Sequence, residues 1–303
     1  MIYDDMHKNF DSLKERLNIA INNTDLDAMF KTLSSINEPT LVTGLGGSSI
    51  VATYLAKVLR EKNNIVATFA YPRDLQYMNL SGYKNVICVS YSGANIGVDA
   101  SFDNNLNKYL FTGHGKDNVN NIVYSMPEEL SYVSICATLI PLSLIALYYK
   151  NDIKLVNEII EKTIKTDSNN SSYEVMYGYE NATAAILLES SITESGMASV
   201  VIHEKYNYAH GRINTTKHTN SDLIFFKSNN EYEDLLADKL PQLYKNIITI
   251  NRFYEDDVIN DYCDCVIGLR LCEAIADNKK CSISDPGELP LNDVFYLYKG
   301  KLK

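Results

Sequence analysis

The sequence predicts an α/β protein made of two doubly wound units, flavodoxin-like or Rossmann-like, with mainly parallel sheets. Three observations predict it. Short apolar runs alternate with segments of helical periodicity along most of the chain. A polar stretch, Thr166-Asp167-Ser168-Asn169-Asn170-Ser171-Ser172, interrupts that rhythm, which then restarts. Two glycine- and serine-rich turns, Gly44-Leu45-Gly46-Gly47-Ser48-Ser49 and Ser90-Tyr91-Ser92-Gly93-Ala94-Asn95, each follow a strand-like run directly, where open parallel sheets take their ligands. At 303 residues the chain has room for two domains of ordinary size, expected at 1–165 and 166–303.

The elements follow in order. Met6, Phe10, Leu13 and Leu17 share a helical face, as do Leu26, Met29, Phe30 and Leu33. A strand at 40–44 leads into a helix at 48–62, then strands at 65–70 and 85–90 and a short helix after Gly93. Runs 108–112 and 121–125 read as strands, 131–150 as a buried helix and 151–165 as a helical connector. Beyond the boundary, strands are expected at 173–177, 199–202, 223–226, 246–250 and 263–267, with helices at 180–195, 231–241 and 268–277. The two halves share a rhythm without a clear sequence repeat, and the second half lacks its own glycine-serine loops.

Composition narrows the partners. A net charge of −10 argues against nucleic acid and anionic membranes, so an anionic ligand needs a locally positive site. The first residues have no apolar signal-peptide core, and the longest apolar run, 135–149, is broken by Pro141 and short for a bilayer, so a cytoplasmic protein is expected. The six cysteines fall mostly in apolar patterns and read as reduced core residues. Cys263-Asp264-Cys265 is the one metal-like pair, but alternate strand residues point to opposite faces, so no metal is expected.

Each serine turn combines backbone that can approach a ligand closely, hydroxyl donors and a helix start behind it. Together they read as a cradle for one phosphate, held by Gly46, Gly47, Ser48, Ser90, Tyr91, Ser92 and Asn95. Other readings fail. A dinucleotide fingerprint lacks its third glycine, which is Ser49, and its ribose-binding acid, because Thr68-Phe69-Ala70-Tyr71 stands there. A P-loop lacks its lysine, and a nucleophile elbow around Ser92 has Ser90 in place of glycine. In the second half, His210 lies in Tyr206-Asn207-Tyr208-Ala209-His210-Gly211-Arg212, sixteen residues after Glu194 at a helix end. A carboxylate and an imidazole are the pair needed to open a sugar ring and move a proton.

The two turns resemble the sugar isomerase (SIS) pattern G-x-G-x-S followed by S-x-S-G-x-T, with Asn95 at the final threonine. The layout over roughly residues 25–303 is similar to that of double-SIS proteins, which include isomerase domains of glucosamine-6-phosphate synthases, fructosamine-phosphate deglycases and phosphoglucose/phosphomannose isomerases. The resemblance implies that Ser48, Ser90 and Ser92 hold the phosphate of a sugar or aminosugar phosphate. In the aminosugar branch a catalytic Glu precedes a His-Gly motif by sixteen residues, the spacing of Glu194 and His210-Gly211. That implies a Glu194 base moving a proton between C1 and C2, and His210 opening the ring, with active sites shared across a homodimer. The segment Ser190-Ser191-Ile192-Thr193-Glu194 has no lysines where the branch has two, so His203 and Glu204 stay as alternative acid/base residues. A C-terminal lysine over the sugar is implied as well, at Lys299, Lys301 or Lys303. The expected activity is aldose–ketose isomerisation without metal or redox cofactor. The alternatives are a phosphosugar deglycase or deaminase, and a sensor that binds without turnover.

Overall fold

The computed structural model describes residues 4–285. Three helices, α1 (Met6–Asp11), α2 (Leu13–Asn23) and α3 (Leu26–Ser35), precede a first α/β unit: β1 (Thr40–Thr43), α4 (Gly47–Asn63), β2 (Ala67–Phe69), β3 (Asn85–Val89), α5 (Ile96–Phe102), β4 (Asn107–Thr112), β5 (Asn120–Val123) and α6 (Cys136–Lys150). Helix α7 (Ile153–Ile160) leads to the second: β6 (Ser172–Tyr177), α8 (Ala182–Glu194), β7 (Ser199–Glu204), α9 (Lys205–Tyr208), β8 (Asp222–Lys227), α10 (Glu231–Lys239), β9 (Ile247–Asn251) and α11 (Asp257–Lys279). The strands form a five-stranded sheet, β2-β1-β3-β4-β5, and a four-stranded sheet, β7-β6-β8-β9. Every pairing is parallel.

Central strands are covered on both faces, which is why they read as unbroken apolar runs. Val42, Ile87, Val175, Ile224 and Phe226 face one large core that also takes in α4, α6, α8 and α11. The alternate residues Leu41 and Val86, or Met176, Leu223 and Phe225, enter smaller clusters on the outer faces. Four helices therefore fill the space between the sheets. Burying a leucine or isoleucine there contributes about 1.5–3 kcal/mol.

The contacts among these helices fix their directions. Gly47 backs onto Thr138 at one end of α4, while Asn63 receives the Tyr148 hydroxyl at the other, so α4 and α6 run parallel. Tyr262 meets Ser143 and Asp256 meets Tyr149, so α11 runs against α6. Asp261 meets Thr183 and Gly268 meets Leu187, so α8 runs with α11. It follows that α8 is antiparallel to α4. The amino end of α4, the amino end of α6 and the carboxyl end of α8 therefore lie at one end of the layer.

Three expectations change. Residues 263–267 are not a strand; they lie inside α11, and Cys263 and Cys265 are buried in its helical interior. A short apolar run without flanking breakers is the same in a buried strand and in a helix buried on all sides, and α11 is the latter. The helix expected from residue 131 begins at Cys136, because residues 131–135 form the turn that a buried carboxylate caps. The connector helix is confined to Ile153–Ile160. No group of three His, Cys, Asp or Glu side chains suited to a metal occurs among the described residues. No described helix is long and apolar enough to cross a membrane.

Candidate functional site

Strands β1 and β3 are neighbours, with Thr43 opposite Cys88, so the two serine turns leave the sheet side by side. Beneath them Thr43 Oγ1 and Ser101 Oγ lie 2.7 Å apart, tying β1 to α5. The first turn is tight. A Cβ on Gly44 would stand 2.4 Å from the Ser48 carbonyl oxygen, so only glycine lets the backbone fold back there. Gly46 takes φ +54 at the helix start, a conformation that side chains disfavour. Within this turn Ser48 N–H donates to Leu45 O at 3.1 Å, and Ser49 Oγ donates to Gly46 O at 2.7 Å. Ser49 is therefore structural, whereas Ser48 is half-buried on the first turn of α4.

The second turn is built around the Ser90 hydroxyl. Its oxygen accepts hydrogen bonds from Gly93 N–H at 3.2 Å and from Asn95 Nδ2 at 3.1 Å. Asn95 also caps α5 through Oδ1, which accepts from Val98 N–H at 3.1 Å. One side chain thus starts the helix and orients the serine. Ser92 and Asn95 are exposed, and Ser92 Oγ accepts from Ala94 N–H at 3.4 Å. The turns touch: a Cβ on Gly97 would stand 2.6 Å from Leu45 Cδ1, so Leu45 of the first turn lies over the helix of the second.

Tyr91 points elsewhere. Its hydroxyl donates to Met126 O at 3.4 Å, and its ring packs edge-on against His114 and leaves no room for a side chain at Gly113. Its carbonyl accepts from Gly113 N–H and Thr112 Oγ1. A phosphate contact from Tyr91 therefore comes down to its backbone N–H.

Sequence reasoning missed the helix end that packs against the first turn. The amino end of α6 faces Gly47 through Thr138 and Ser134. The helix is capped by Glu129, whose carboxylate accepts from Ile135 and Cys136 N–H at 3.0 and 3.1 Å and from Ala137 N–H at 2.7 Å. Burial raises the pKa of this carboxyl, opposed by those three amides. A cap reached from six to eight residues away has no sequence signature, since capping motifs span three.

Glu194 ends α8 at the end of the layer where α4 begins, so it stands at the level of the serine turns. It is exposed and accepts a hydrogen bond from Ser190 Oγ at 2.7 Å. Glu189, one turn earlier, is raised in pKa by burial and then by the charge of Glu194. His210 lies elsewhere. It follows β7 and α9, beyond the carboxyl end of the second sheet, whereas α8 ends before that strand begins. The six residues of β7, roughly 17 Å, separate them within one chain. His210 is exposed, beside Gly211 at φ +98.

The alternative residues are engaged. His203 is buried with its Nε2 3.2 Å from Glu174 Oε2, at an angle outside hydrogen bonding, and its ring lies against Tyr208. Burial opposes ionisation of Glu174, but His203, Tyr244 and Thr219 together hold its carboxyl below the usual range. Glu204 caps α9, accepting from Asn207 N–H at 2.8 Å. Lys299, Lys301 and Lys303 lie outside the described residues.

No family model matches the chain, and no curated protein matches its sequence. Solved structures do. The C-terminal domain of glucosamine-fructose-6-phosphate aminotransferase from Francisella tularensis superposes with a TM-score of 0.71 at 12% identity, over 93% of this chain and 98% of that one. Glucosamine-6-phosphate deaminase from Thermotoga maritima gives 0.71 at 14% identity, over 94% and 98%. Tagatose-6-phosphate ketose/aldose isomerase from Escherichia coli gives 0.69 at 12% identity, over 94% and 95%. At such identities the likeness establishes the fold: this chain shares, over nearly its whole length, the two-sheet α/β architecture of these three proteins.

Proposed function

We propose that the chain is a phosphosugar isomerase that interconverts an aldose and a ketose phosphate, or their aminosugar counterparts, in the domains expected at 1–165 and 166–303. The observation that carries this reading is the meeting of the two serine turns through Leu45 and Gly97, with Glu194 at the same end of the helical layer. In this reading Ser48, Ser90, Ser92 and Asn95 hold the phosphate, with the amino end of α4 supplying a local positive field in an acidic protein. Glu194 carries a proton between C1 and C2 through a cis-enediol or enolamine. His210 opens the ring in the site of a second copy, because within its own chain the length of β7 keeps it from Glu194. The active unit is then a homodimer with shared sites, and neither metal nor redox cofactor is required for the proton transfer.

The test is proton exchange. Incubated in D₂O with fructose 6-phosphate and related esters, the chain should exchange C1/C2 protons, and Glu194→Gln should stop the exchange while leaving binding intact. Release of ammonia or free amine would assign a deaminase or deglycase instead. Binding without exchange across a panel of sugars would assign a sensor, a reading favoured by the lysine-free segment before Glu194 and by its carboxylate being held by Ser190.

A further inference from the structure

The second sheet repeats the layout of the first at its carboxyl ends. Its order β7-β6-β8-β9 matches β2-β1-β3-β4. Gly178 follows β6 as Gly44 follows β1, and Ser228 follows β8 as Ser90 follows β3. Asn230 caps α10 through a hydrogen bond from Glu233 N–H at 3.0 Å, as Asn95 caps α5. The second half therefore has its own glycine and serine at the two places that frame a crevice, although not as a glycine-serine loop.

That crevice is filled from within by the Glu180 carboxylate. Ser228 Oγ donates to Glu180 Oε1, and Lys205 Nζ donates to the same oxygen at 2.9 Å. A Cβ on Gly178 would stand 2.5 Å from Glu180 Oε2, so the missing side chain makes the room that the carboxylate occupies. Lys205, whose side chain is 3% exposed, also donates to Glu233 Oε1 at 2.8 Å, and Glu233 accepts from Ser228 N–H. Glu233 already neutralises the lysine, so Glu180 is a second anion that the cluster accommodates. Burial opposes its ionisation, but the Ser228 hydroxyl and the Lys205 charge hold its carboxyl below the usual range.

We propose that the carboxyl end of the second sheet is an oxyanion site kept filled by the chain's own Glu180. An ammonium, a hydroxyl and a glycine-made space are the components of a site for a carboxylate or a phosphate. Lys205 opens the segment that runs to His210, so the internal anion holds that segment in place with no external ligand.

The test removes the internal anion. Glu180→Ala should create a site for acetate and for inorganic phosphate. At concentrations roughly ten times the Kd, either anion should lower the unfolded fraction about tenfold relative to chloride at equal ionic strength. Glu180→Gln, which still fills the space, and the unaltered chain should show no acetate effect. Adding Lys205→Met to Glu180→Ala should remove it. Phosphate acting at the Ser90 turn would stabilise all variants alike, so the difference between Glu180→Ala and Glu180→Gln, repeated with Ser90→Ala, isolates the second site. Should Glu180→Ala not fold in chloride, recovery of the fold in acetate or phosphate is the readout. A Glu180→Ala chain that responds to neither anion, or a Glu180→Gln chain that responds equally, would overturn the proposal.

Discussion

Lys57 and Asp261 meet at 2.9 Å in the interior between the two sheets, with side chains 3% and 0% exposed. The lysine comes from α4 and the aspartate from α11, so this ion pair joins the first α/β unit to the second. The Asp261 carboxylate is further held by Thr183 Oγ1 at 2.8 Å and Ala184 N–H at 3.1 Å, and Lys57 also reaches the Tyr179 and Asp257 carbonyls. Breaking such a pair leaves an uncompensated buried charge. Lys57→Met should cost about 3–5 kcal/mol in denaturant unfolding. Adding Asp261→Asn should recover part of that loss. A double variant as unstable as the sum of the two singles would refute the coupling.

Asp264, one turn along the same helix, is a different kind of buried acid. Its Oδ2 accepts from Asn260 Nδ2 at 2.7 Å, while Oδ1 has no partner among the described residues. Burial, and then the charge of Asp261, raises its pKa well above the ordinary aspartate range. The folded state therefore retains a proton that the unfolded chain releases. The stability it confers is complete below the ordinary aspartate pKa and falls as pH rises toward the raised folded value. Asp264→Asn should equal the parent in acid and exceed it in stability near neutrality. Parallel unfolding curves of the two proteins across that pH range would contradict the assignment.

Ser90 carries the phosphate prediction. Its hydroxyl is fixed by two donors, Gly93 N–H and Asn95 Nδ2, which leaves its own proton to offer to a ligand. Ser90→Ala should weaken binding of phosphorylated sugars by about tenfold to a hundredfold, the range for a hydrogen bond to a charged group. Free sugars should bind as before. Equal loss for both, measured by calorimetry, would remove Ser90 from the phosphate site.

The separation of Glu194 from His210 makes a mixing experiment informative. Glu194→Gln and His210→Asn should each lower turnover by about 10²–10⁴. If one site draws on two chains, equimolar mixing after subunit exchange forms hybrid dimers with one intact site out of two. About a quarter of the parental activity should then return. Mixtures as inactive as either parent variant would assign both residues to one chain, or to no shared site.

Much of the architecture is legible in the sequence because a parallel strand buried on both faces announces itself as an apolar run bounded by turns. Val86-Ile87-Cys88-Val89 and Leu223-Ile224-Phe225-Phe226 are such runs, and both are strands. Cys263–Ile267 is apolar apart from Asp264 and also reads as such a run, yet it is helical, because α11 is surrounded by α6, α8 and α4. The serine turns are legible for a local reason: their glycines and their Asn95 cap act within a few residues. Glu129 and Glu180 are not, because each is defined by what it fills after folding, across distances along the chain that no motif spans. The placement of Glu194 likewise depends on a relay of helix contacts, α4 to α6 to α11 to α8, and no stretch of sequence carries it.

In the proposed reading, that relay makes helix length a functional variable. About three turns of α8 run from Thr183, fixed on Asp261, to Glu194. One residue inserted between them would advance Glu194 by about 1.5 Å and swing it around the axis by about 100°. The fold could absorb this at the exposed end of α8, whereas the carboxylate would leave its bearing on the serine turns. In this architecture the distance between the anchor and the proposed base is counted in whole residues, and the middle of α8 should tolerate substitution far better than insertion or deletion.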